Sequence, residues 1–206
     1  MLSYLTFYAI RSWFFAMKSR PGQVRIIGGE WRGRKLTVPD SLHLRPTPDR
    51  VRETLFNWLS PVIAGAHCLD AFAGTGILGF EALSRGAAHV VMTESAKGCV
   101  QHMQDAAAKL QTHKAEIYQA VVPEDLAVPD KKFDVVFLDP PYQTNLLIPT
   151  CFYLEKQQFL ADNCYIYLES NEVILTENLP PNWELLKSKK AGLVAYHLAL
   201  RKDDIL

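Results

Sequence analysis

The chain has 206 residues, of which 49% are apolar and 21% charged, and its formal net charge is zero. This length suits one domain of moderate size with a sizeable core, and the composition is ordinary for a globular enzyme. A neutral total excludes any argument about partners from overall charge, so only the distribution of charge is informative.

Residues 1–16, "MLSYLTFYAIRSWFFA", are apolar and aromatic but lack the basic start of a signal peptide. Arg11 interrupts the run, which is too short to span a bilayer as a helix. Met17 then opens a stretch that resembles a natural start. We therefore predict an extension with no role in the fold, and the alternative is a membrane-surface or signal-like segment.

The segment from Met17 to Ser60 is basic, with nine Lys or Arg residues against four acidic residues, whereas the rest of the chain after Ser60 carries a net −6. A basic front on a mildly acidic body predicts a surface that faces a polyanion. The alternative is a solvated charged face with no ligand.

Two elements are predicted within residues 17–60. The stretch "VRIIGGEWRGRKLTVP" is typical of a small β element that turns at Gly28-Gly29. The stretch "TPDRVRETLFNWLS" predicts a helix with Thr47 as N-cap, Pro48 as the first helical residue and acidic residues in the early turns.

From residue 61 to 206, strand and helix patterns alternate, which predicts an α/β domain with a doubly wound parallel sheet. The last two strands form an antiparallel pair that meets at Ala191-Gly192. The predicted strands before that pair are 67–73, 89–94, 115–122, 133–139 and 164–170, and the predicted helices cover the stretch that ends at Gly86, 96–111 and 145–159.

The four cysteines show no C-x-x-C spacing, and the six histidines are isolated, so we predict neither a disulfide nor a metal site. Reduced core thiols indicate a cytoplasmic protein. The cysteines are Cys68, Cys99, Cys151 and Cys164.

A G-x-G-x-x-G pattern formed by Gly74, Gly76 and Gly79 joins the first strand of the alternating region to a helix. Glu94 ends the next strand, where an acid can accept both hydroxyls of a ribose. The pattern fits either a nicotinamide cofactor or S-adenosylmethionine, or a helix cap without a ligand. Asp70 favours S-adenosylmethionine, because a carboxylate there repels a pyrophosphate and attracts an amino group or a sulfonium.

The stretch "FDVVFLDPPYQ" begins as a buried strand and stops at Pro140, which has no N–H to continue a ladder. The Asp139 carboxylate and the Pro140 carbonyl can accept both hydrogens of one –NH₂ group, and Tyr142 offers a face for base stacking. We predict that this turn polarises an exocyclic base amine for methyl transfer. A plain strand terminator is the alternative.

These motifs carry a family resemblance. D-P-P-Y with F-A-G-T-G resembles the S-adenosylmethionine-dependent amino-methyltransferases. The stretches "RIIGGEWRGRKL", "LRPTPDRVRETLFNWL" and "CLDAFAGTGILGFEALSRGA" closely resemble the RsmD family, the bacterial 16S rRNA guanine-N2 methyltransferases. The likeness runs from about Val24 to Arg201 and implies a class I methyltransferase fold with a seven-stranded sheet and an antiparallel last strand.

The resemblance also implies roles for individual residues. It places the target guanine at Asp139, Pro140, Pro141 and Tyr142. It implies that Arg45, Thr47 and Arg50 close over the site and that Arg32, Arg34 and Lys35 contact RNA phosphates. It places the cofactor at Asp70, Phe72, Ala73, Gly74, Thr75, Gly76 and Glu94.

The chain departs from the family after the third strand, where relatives commonly carry Asn or Asp and this chain has Val121 and Val122. We therefore expect the cofactor adenine to be held there by backbone groups and apolar packing, or by Glu124 or Asp125.

The predicted function is S-adenosylmethionine-dependent methylation of guanine N2 in 16S rRNA, within an assembling or assembled 30S subunit, by a monomer with no membrane contact. Three alternatives stay open: an adenine-N6 nucleic-acid methyltransferase, a non-catalytic RNA-binding assembly protein and a nicotinamide-dependent dehydrogenase.

Overall fold

A computed structural model of the protein describes residues 22–38 and 47–202. The predictions for residues 1–16 and for Arg45 lie outside these residues.

A seven-stranded sheet forms the centre of the described structure. Its strands are β3 (His67–Asp70), β4 (His89–Glu94), β5 (Ala115–Gln119), β6 (Phe133–Leu138), β7 (Leu160–Ser170), β8 (Trp183–Ala191) and β9 (Val194–Arg201). They lie in the order β5-β4-β3-β6-β7-β9-β8. β3 to β7 run parallel to one another, and β9 runs antiparallel to both β7 and β8. The α/β fold with an antiparallel last strand is confirmed.

Four α-helices cover the two faces of this sheet in the described residues: α1 (Asp49–Leu59), α2 (Ile77–Ser84), α3 (Lys97–Leu110) and α4 (Leu147–Lys156). The alternating side chains of each strand divide between two cores, as buried parallel strands require. In β6, Val135 and Phe137 pack with α1, α2 and α3, and Val136 and Leu138 pack with α4.

The chain reverses its winding direction between β3 and β6, which are hydrogen-bonded neighbours although two strands separate them in sequence. The crevice at the carboxyl ends of such strands is the usual ligand site of a doubly wound sheet. The glycine-rich loop after β3 and the Asp-Pro-Pro-Tyr turn after β6 therefore lie side by side.

The basic N-terminal segment forms a two-stranded antiparallel sheet, β1 (Gly22–Arg25) with β2 (Lys35–Val38), that packs on the C-terminal end of α2. The chain turns through Ile26 to Arg34. At Gly29 it adopts φ +75°, and a Cβ there would lie 1.8 Å from the Ser84 carbonyl oxygen. The next two amides donate to Ser84, from Glu30 to its carbonyl at 2.7 Å and from Trp31 to its Oγ at 2.9 Å. Glycine at this position is thus required for docking.

A buried ion pair also stabilises the docking of this N-terminal β element. Arg52 on α1 and Glu81 on α2 have fully buried side chains, with Arg52 Nη1 3.4 Å from Glu81 Oε2. Glu81 also accepts hydrogen bonds from the Ile27 amide at 2.9 Å and from Arg85 Nε at 2.8 Å. One carboxylate therefore joins the N-terminal turn, α1 and α2.

The start of α1 differs from its prediction. Pro48 is the N-cap and Asp49 is the first helical residue, so the predicted boundary is one residue early, and Thr47 makes no capping bond. The Thr47 hydroxyl instead donates to Asp139 Oδ2 at 3.4 Å. The tertiary contact with Asp139 thus replaces the capping hydrogen bond that the sequence predicts for the Thr47 hydroxyl.

Three strand boundaries also differ by three or more residues. β3 ends at Asp70 and not at residue 73, because the chain turns from residue 71 onward into the glycine-rich loop. β5 ends at Gln119 and not at residue 122, because the following residues form a turn closed by Asp125, whose Oδ2 accepts the Val121 N–H at 3.1 Å. β7 begins at Leu160 and not at 164, and an irregularity in its register interrupts the pairing with β6. Polar residues and Asn163, with φ +59°, obscure this early part of β7 in the sequence.

In the described part of the chain, no helix is long and apolar enough to cross a membrane. The four cysteines are buried and free of disulfides.

Candidate functional site

A cavity of about 700 Å³ opens at the carboxyl ends of β3, β4, β6 and β7. Thr47, which was predicted to close over the site, lines this cavity. So do these residues predicted to bind the cofactor or the target base: Asp70, Phe72, Ala73, Gly74, Thr75, Glu94, Val121, Val122, Asp139, Pro140, Pro141 and Tyr142. Gly76 is absent from this lining. The topology thus brings together nearly all the residues that the sequence motifs singled out.

The glycine-rich loop is held by the acid at the end of β4. Glu94 Oε2 accepts the Gly74 N–H at 3.0 Å, and its Oε1 accepts the Ala96 N–H and the Ser95 hydroxyl, each at 3.0 Å. A carboxylate has about four acceptor positions, so Glu94 retains capacity for a ribose hydroxyl. The acid therefore shapes the loop as well as offering a ligand contact.

Gly76 lies behind the cavity wall at the start of α2. It adopts φ +75°, and a Cβ at this position would lie 2.9 Å from Met103 Sδ and from the Phe80 ring. Glycine here lets the loop turn sharply into the helix. Gly76 therefore shapes the glycine-rich loop where it enters α2.

Asp70 is buried at the end of β3, and its Oδ2 accepts the Gly79 N–H at 3.0 Å. Burial raises the pKa of this carboxyl to about 7, and the neighbouring Glu94 charge adds to the rise in pKa, while the Gly79 hydrogen bond opposes it. An acid in this position is costly to ionise without a cation. The site is therefore suited to a ligand that brings positive charge.

Asp139 lies beyond the end of β6, with the Thr47 hydroxyl as its hydrogen-bond donor. Burial is the main cause that raises its pKa well above the usual value, followed by the charges of Glu169 and Asp70; the Thr47 hydrogen bond lowers the pKa. Additional hydrogen-bond donors or a nearby positive charge would therefore stabilise the ionised form of this carboxyl.

Tyr142 lies at the cavity mouth with 38% of its surface exposed. Its hydroxyl donates to Glu169 Oε1 at 2.8 Å, and the buried Tyr167 hydroxyl donates to Glu169 Oε2 at 2.7 Å. The ring of Tyr142 is therefore anchored at its hydroxyl end and is partly exposed at the cavity mouth.

Glu169 is an acidic lining residue that the sequence motifs missed. It is only 3% exposed, lines the cavity and lies one residue before the end of β7, next to β6, which Asp139 follows. The available signal was the stretch "YLES", in which an acid closes an apolar parallel strand. The same positional rule that identified Asp70, Glu94 and Asp139 applies to it.

Among the described lining residues, the side chains that can carry a charge near neutral pH are all carboxyls. Four carboxyl side chains, those of Asp70, Glu94, Asp139 and Glu169, line the cavity, and the described lining residues include no Lys, Arg or His. An anionic pyrophosphate would be repelled by such a wall, and a sulfonium or ammonium group would be attracted.

The region after β5 provides apolar lining. Val121 is 57% exposed and Val122 is buried, and both border the cavity together with Ala120. Asp125 is engaged with the Val121 backbone, and neither it nor Glu124 is among the lining residues. Of the two expectations for adenine, apolar packing agrees with this arrangement better than a contact to Glu124 or Asp125.

The predicted RNA-binding residues lie in two places. Arg32, Arg34, Lys35 and Arg50 are exposed, on the N-terminal element and on α1, and outside the cavity lining. Thr47 differs, since it is buried and faces Asp139. Its side chain is thus part of the cavity wall.

Among the described residues, no group of three or more His, Cys, Asp or Glu side chains is placed to hold a metal ion.

Comparisons with known proteins agree with this geometry. A family model described as "Conserved hypothetical protein 95" matches residues 24–200. Ribosomal RNA small subunit methyltransferase D of Escherichia coli strain K12 is 48% identical over 184 residues, which cover 89% of this chain and 93% of that protein. The protein of the same name from Haemophilus influenzae is 46% identical over 186 residues, covering 86% and 93%.

A solved structure, described as putative methyltransferase yhhF from Escherichia coli, matches with a TM-score of 0.79 and 46% sequence identity. The match covers 88% of this chain and 99% of that one. The two structures therefore share the fold over most of this chain.

Proposed function

Because the chain belongs to the RsmD family of small-subunit rRNA methyltransferases, we propose that it transfers a methyl group from S-adenosylmethionine to the exocyclic N2 amine of a guanine in 16S rRNA. The chain spans more than nine-tenths of its curated relatives from Escherichia coli and Haemophilus influenzae, which supports carrying over the whole activity and not a part of it.

One observation carries the choice of cofactor: the cavity places four carboxyls and no described basic side chain around the glycine-rich loop. S-adenosylmethionine supplies, when bound, an electrophilic methyl group on a cationic sulfonium. Asp70 and the amides of the loop are suited to its amino-acid end, Glu94 to the ribose, and the apolar lining at Val121 and Val122 to the adenine. The described lining offers no basic side chain that could bind the pyrophosphate of a nicotinamide cofactor.

The Asp139 carboxylate and the Pro140 carbonyl are the acceptors for the target amine. The lone pair of an exocyclic base amine is delocalised into the ring, so the nitrogen is a poor nucleophile. Accepting both hydrogens shifts the nitrogen toward tetrahedral geometry and stabilises the positive charge that it gains. The two prolines hold these acceptors rigidly, so little reorganisation is needed.

Tyr142 positions the base. A ring anchored through its hydroxyl keeps a fixed plane, and stacking on that plane contributes about 1–3 kcal/mol per base. The hydrogen bonds from Tyr142 and Tyr167 to Glu169 thus fix the plane on which the base stacks. This aligns the weakly nucleophilic amine for methyl transfer.

The RNA partner is proposed to lie along the exposed basic residues of the N-terminal element and α1, with the protein acting as a monomer in the cytoplasm on a 30S particle or its precursor. The basic excess of residues 17–60 supports this placement, because phosphate contacts supply most of the affinity for RNA.

Calorimetry with S-adenosylmethionine and with NAD tests the cofactor, and mapping of methylated guanines in rRNA from a deletion strain, with and without complementation, tests the product. We expect binding of S-adenosylmethionine alone and one guanine N2 methyl group that depends on this protein. Binding of NAD without S-adenosylmethionine, or an unchanged methylation map, would overturn the proposal.

A further inference from the structure

The Asp-Pro-Pro-Tyr turn does not by itself distinguish two bases. Two acceptors aimed at one –NH₂ group suit the N2 amine of guanine and the N6 amine of adenine equally, and Tyr142 can stack on either. Selection of guanine must therefore come from a group that touches the atom beside the amine. The structure offers Glu169 for this task.

Glu169 occupies the strand end next to that of Asp139. Leu138 of β6 pairs with Leu168 of β7 in parallel register, so the chain places Asp139 and Glu169 directly after paired residues. Both carboxyls line the same cavity. The charge of Glu169 is also one of the causes that raise the pKa of Asp139, as expected for two neighbouring acids.

The carboxylate of Glu169 is held in place and still has acceptor capacity. Each of its oxygens accepts one tyrosyl hydroxyl, from Tyr142 at 2.8 Å and from Tyr167 at 2.7 Å. A carboxylate offers about four acceptor positions, so these two bonds leave two unused. A base stacked on the Tyr142 ring would bring one edge toward the hydroxyl end of that ring, where Glu169 lies.

The two bases differ at ring nitrogen N1, which lies beside the amine in both. In guanine N1 carries a hydrogen and donates, whereas N3 on the other side of the amine accepts. In adenine N1 carries a lone pair and accepts. An ionised carboxylate only accepts, so it bonds to the guanine edge and repels the adenine edge.

We propose that Glu169 accepts the N1 hydrogen of the target guanine while Asp139 accepts a hydrogen of its N2 amine, so that Glu169 selects guanine over adenine. This inference rests on the proposed function and adds the basis of its specificity. It explains why a second buried acid stands beside Asp139, where one carboxyl would suffice for the amine.

The test replaces the target guanine, once mapped, in an RNA substrate by 2-aminopurine or by 2,6-diaminopurine. Both analogues retain the amine at position 2 and lack the hydrogen on N1. Single-turnover methylation and RNA affinity are measured for the wild-type protein, Glu169→Gln and Tyr142→Phe. The last variant is the matched control, because it removes a hydrogen bond to Glu169 and leaves the carboxylate.

For the wild-type protein we expect methylation of both analogues to be slower than that of guanine by about 10- to 100-fold, the discrimination that one well-placed base contact gives. Glu169→Gln should reduce this preference by about tenfold or more, because an amide can donate a hydrogen bond to the N1 lone pair. Tyr142→Phe should keep the guanine preference, whatever its absolute rate. Titration with S-adenosylmethionine checks that each variant is folded.

Equal rates of the wild-type protein on guanine and on the two analogues would overturn the inference without any variant. So would an unchanged preference in folded Glu169→Gln, which would leave Glu169 only the positioning of Tyr142. In both cases methylation of guanine itself would still stand. Absence of guanine methylation by the wild-type protein would instead overturn the proposed function, and the inference with it.

Discussion

Asp139 shows how a single side chain can be specified by its surroundings. It follows a buried strand, precedes two prolines and accepts a hydrogen bond from Thr47. Its removal should act on the methyl-transfer step, since the residue lies at a strand mouth and outside the apolar core.

We predict that Asp139→Ala lowers the single-turnover rate by ~10²–10³, the usual effect of removing one aligned polar group at a reacting centre. Asp139→Asn should lose less, because an amide oxygen still accepts a hydrogen bond without a full charge. Single-turnover methylation of 30S particles gives the rates, and calorimetry should find S-adenosylmethionine affinity nearly unchanged. A near-normal rate for Asp139→Ala would reduce the acid to a strand terminator.

Asp70 makes a prediction about stability. Its pKa is about 7 in the folded protein, against about 3.9 in an unfolded chain. Between these values the folded state holds a proton that the unfolded state has lost, so the contribution of Asp70 to the free energy of unfolding falls as pH rises from about 4 to about 7. Above pH 7 this contribution is constant.

Asp70→Asn should therefore flatten the pH dependence of unfolding in the ligand-free protein over this range. Urea denaturation at a series of pH values measures it. Asp105→Asn, on the exposed face of α3, is the control that removes a charge away from the cavity. Identical pH profiles for wild type and Asp70→Asn would contradict the assignment.

At this scale the sequence predicts acids that end parallel strands, because topology alone brings strand ends together. Asp70, Glu94 and Asp139 follow that rule, and Glu169 would have followed it too. The hydrogen bond from Thr47 to Asp139 could not be predicted, since the two residues are 92 positions apart and a local capping role was available for Thr47.

At the scale of elements, the N-terminal β element depends on one buried carboxylate. Glu81 accepts hydrogen bonds from the Ile27 amide, Arg52 and Arg85, and neither Glu81 nor Arg52 has side-chain exposure. Without Glu81, Arg52 would keep only the exposed Asp49 as an ionic partner, and a buried charge with incomplete compensation is costly.

We predict that Glu81→Gln lowers the free energy of unfolding by about 3–5 kcal/mol, as is usual when a buried ion pair loses one partner. Glu184→Gln is the matched control, because Glu184 pairs with Lys202 on an exposed surface. Such surface pairs contribute about 0–1 kcal/mol. Urea denaturation of both variants decides the matter, and equal effects would show that Glu81 is not a structural centre.

The succession of elements was predictable because β4, β6 and the second half of β7 contain short apolar runs bounded by polar or turn residues. The boundaries that differ have tertiary causes. β5 stops where Asp125 captures the Val121 amide, and β7 starts early because β6 and its neighbour accommodate an irregular register. The docking of Gly29 on Ser84 joins elements distant in sequence and leaves no local pattern.

At the scale of the whole molecule, charge is segregated. The cavity is lined by acids, and the exposed arginines and lysine of the N-terminal element lie outside it. Under the proposed function, RNA phosphates and a cationic cofactor would be attracted to different surfaces, although the chain as a whole is neutral.

We predict that replacing Arg32 and Arg34 together by Gln weakens RNA binding and flattens the log–log dependence of affinity on salt by roughly 1–2 units, about one for each lost phosphate contact. S-adenosylmethionine affinity should stay the same. Lys131→Gln with Lys132→Gln is the matched control, since these exposed lysines precede the amino end of β6, whereas the cavity lies at the carboxyl ends of the strands. A salt slope unaltered by the arginine changes would remove them from the interface.

The helix α2 has one further consequence. Its first turn follows Gly76 and the glycine-rich loop. Its last turn carries Ser84, on which the N-terminal element docks, and Glu81, which also binds that element, lies one turn earlier. Eight residues, about 12 Å of helix, thus connect the surfaces proposed for the two ligands. Thermodynamic reciprocity then applies: any gain in RNA affinity caused by bound cofactor must equal the gain in cofactor affinity caused by bound RNA, so the order of binding leaves the stability of the ternary complex unchanged.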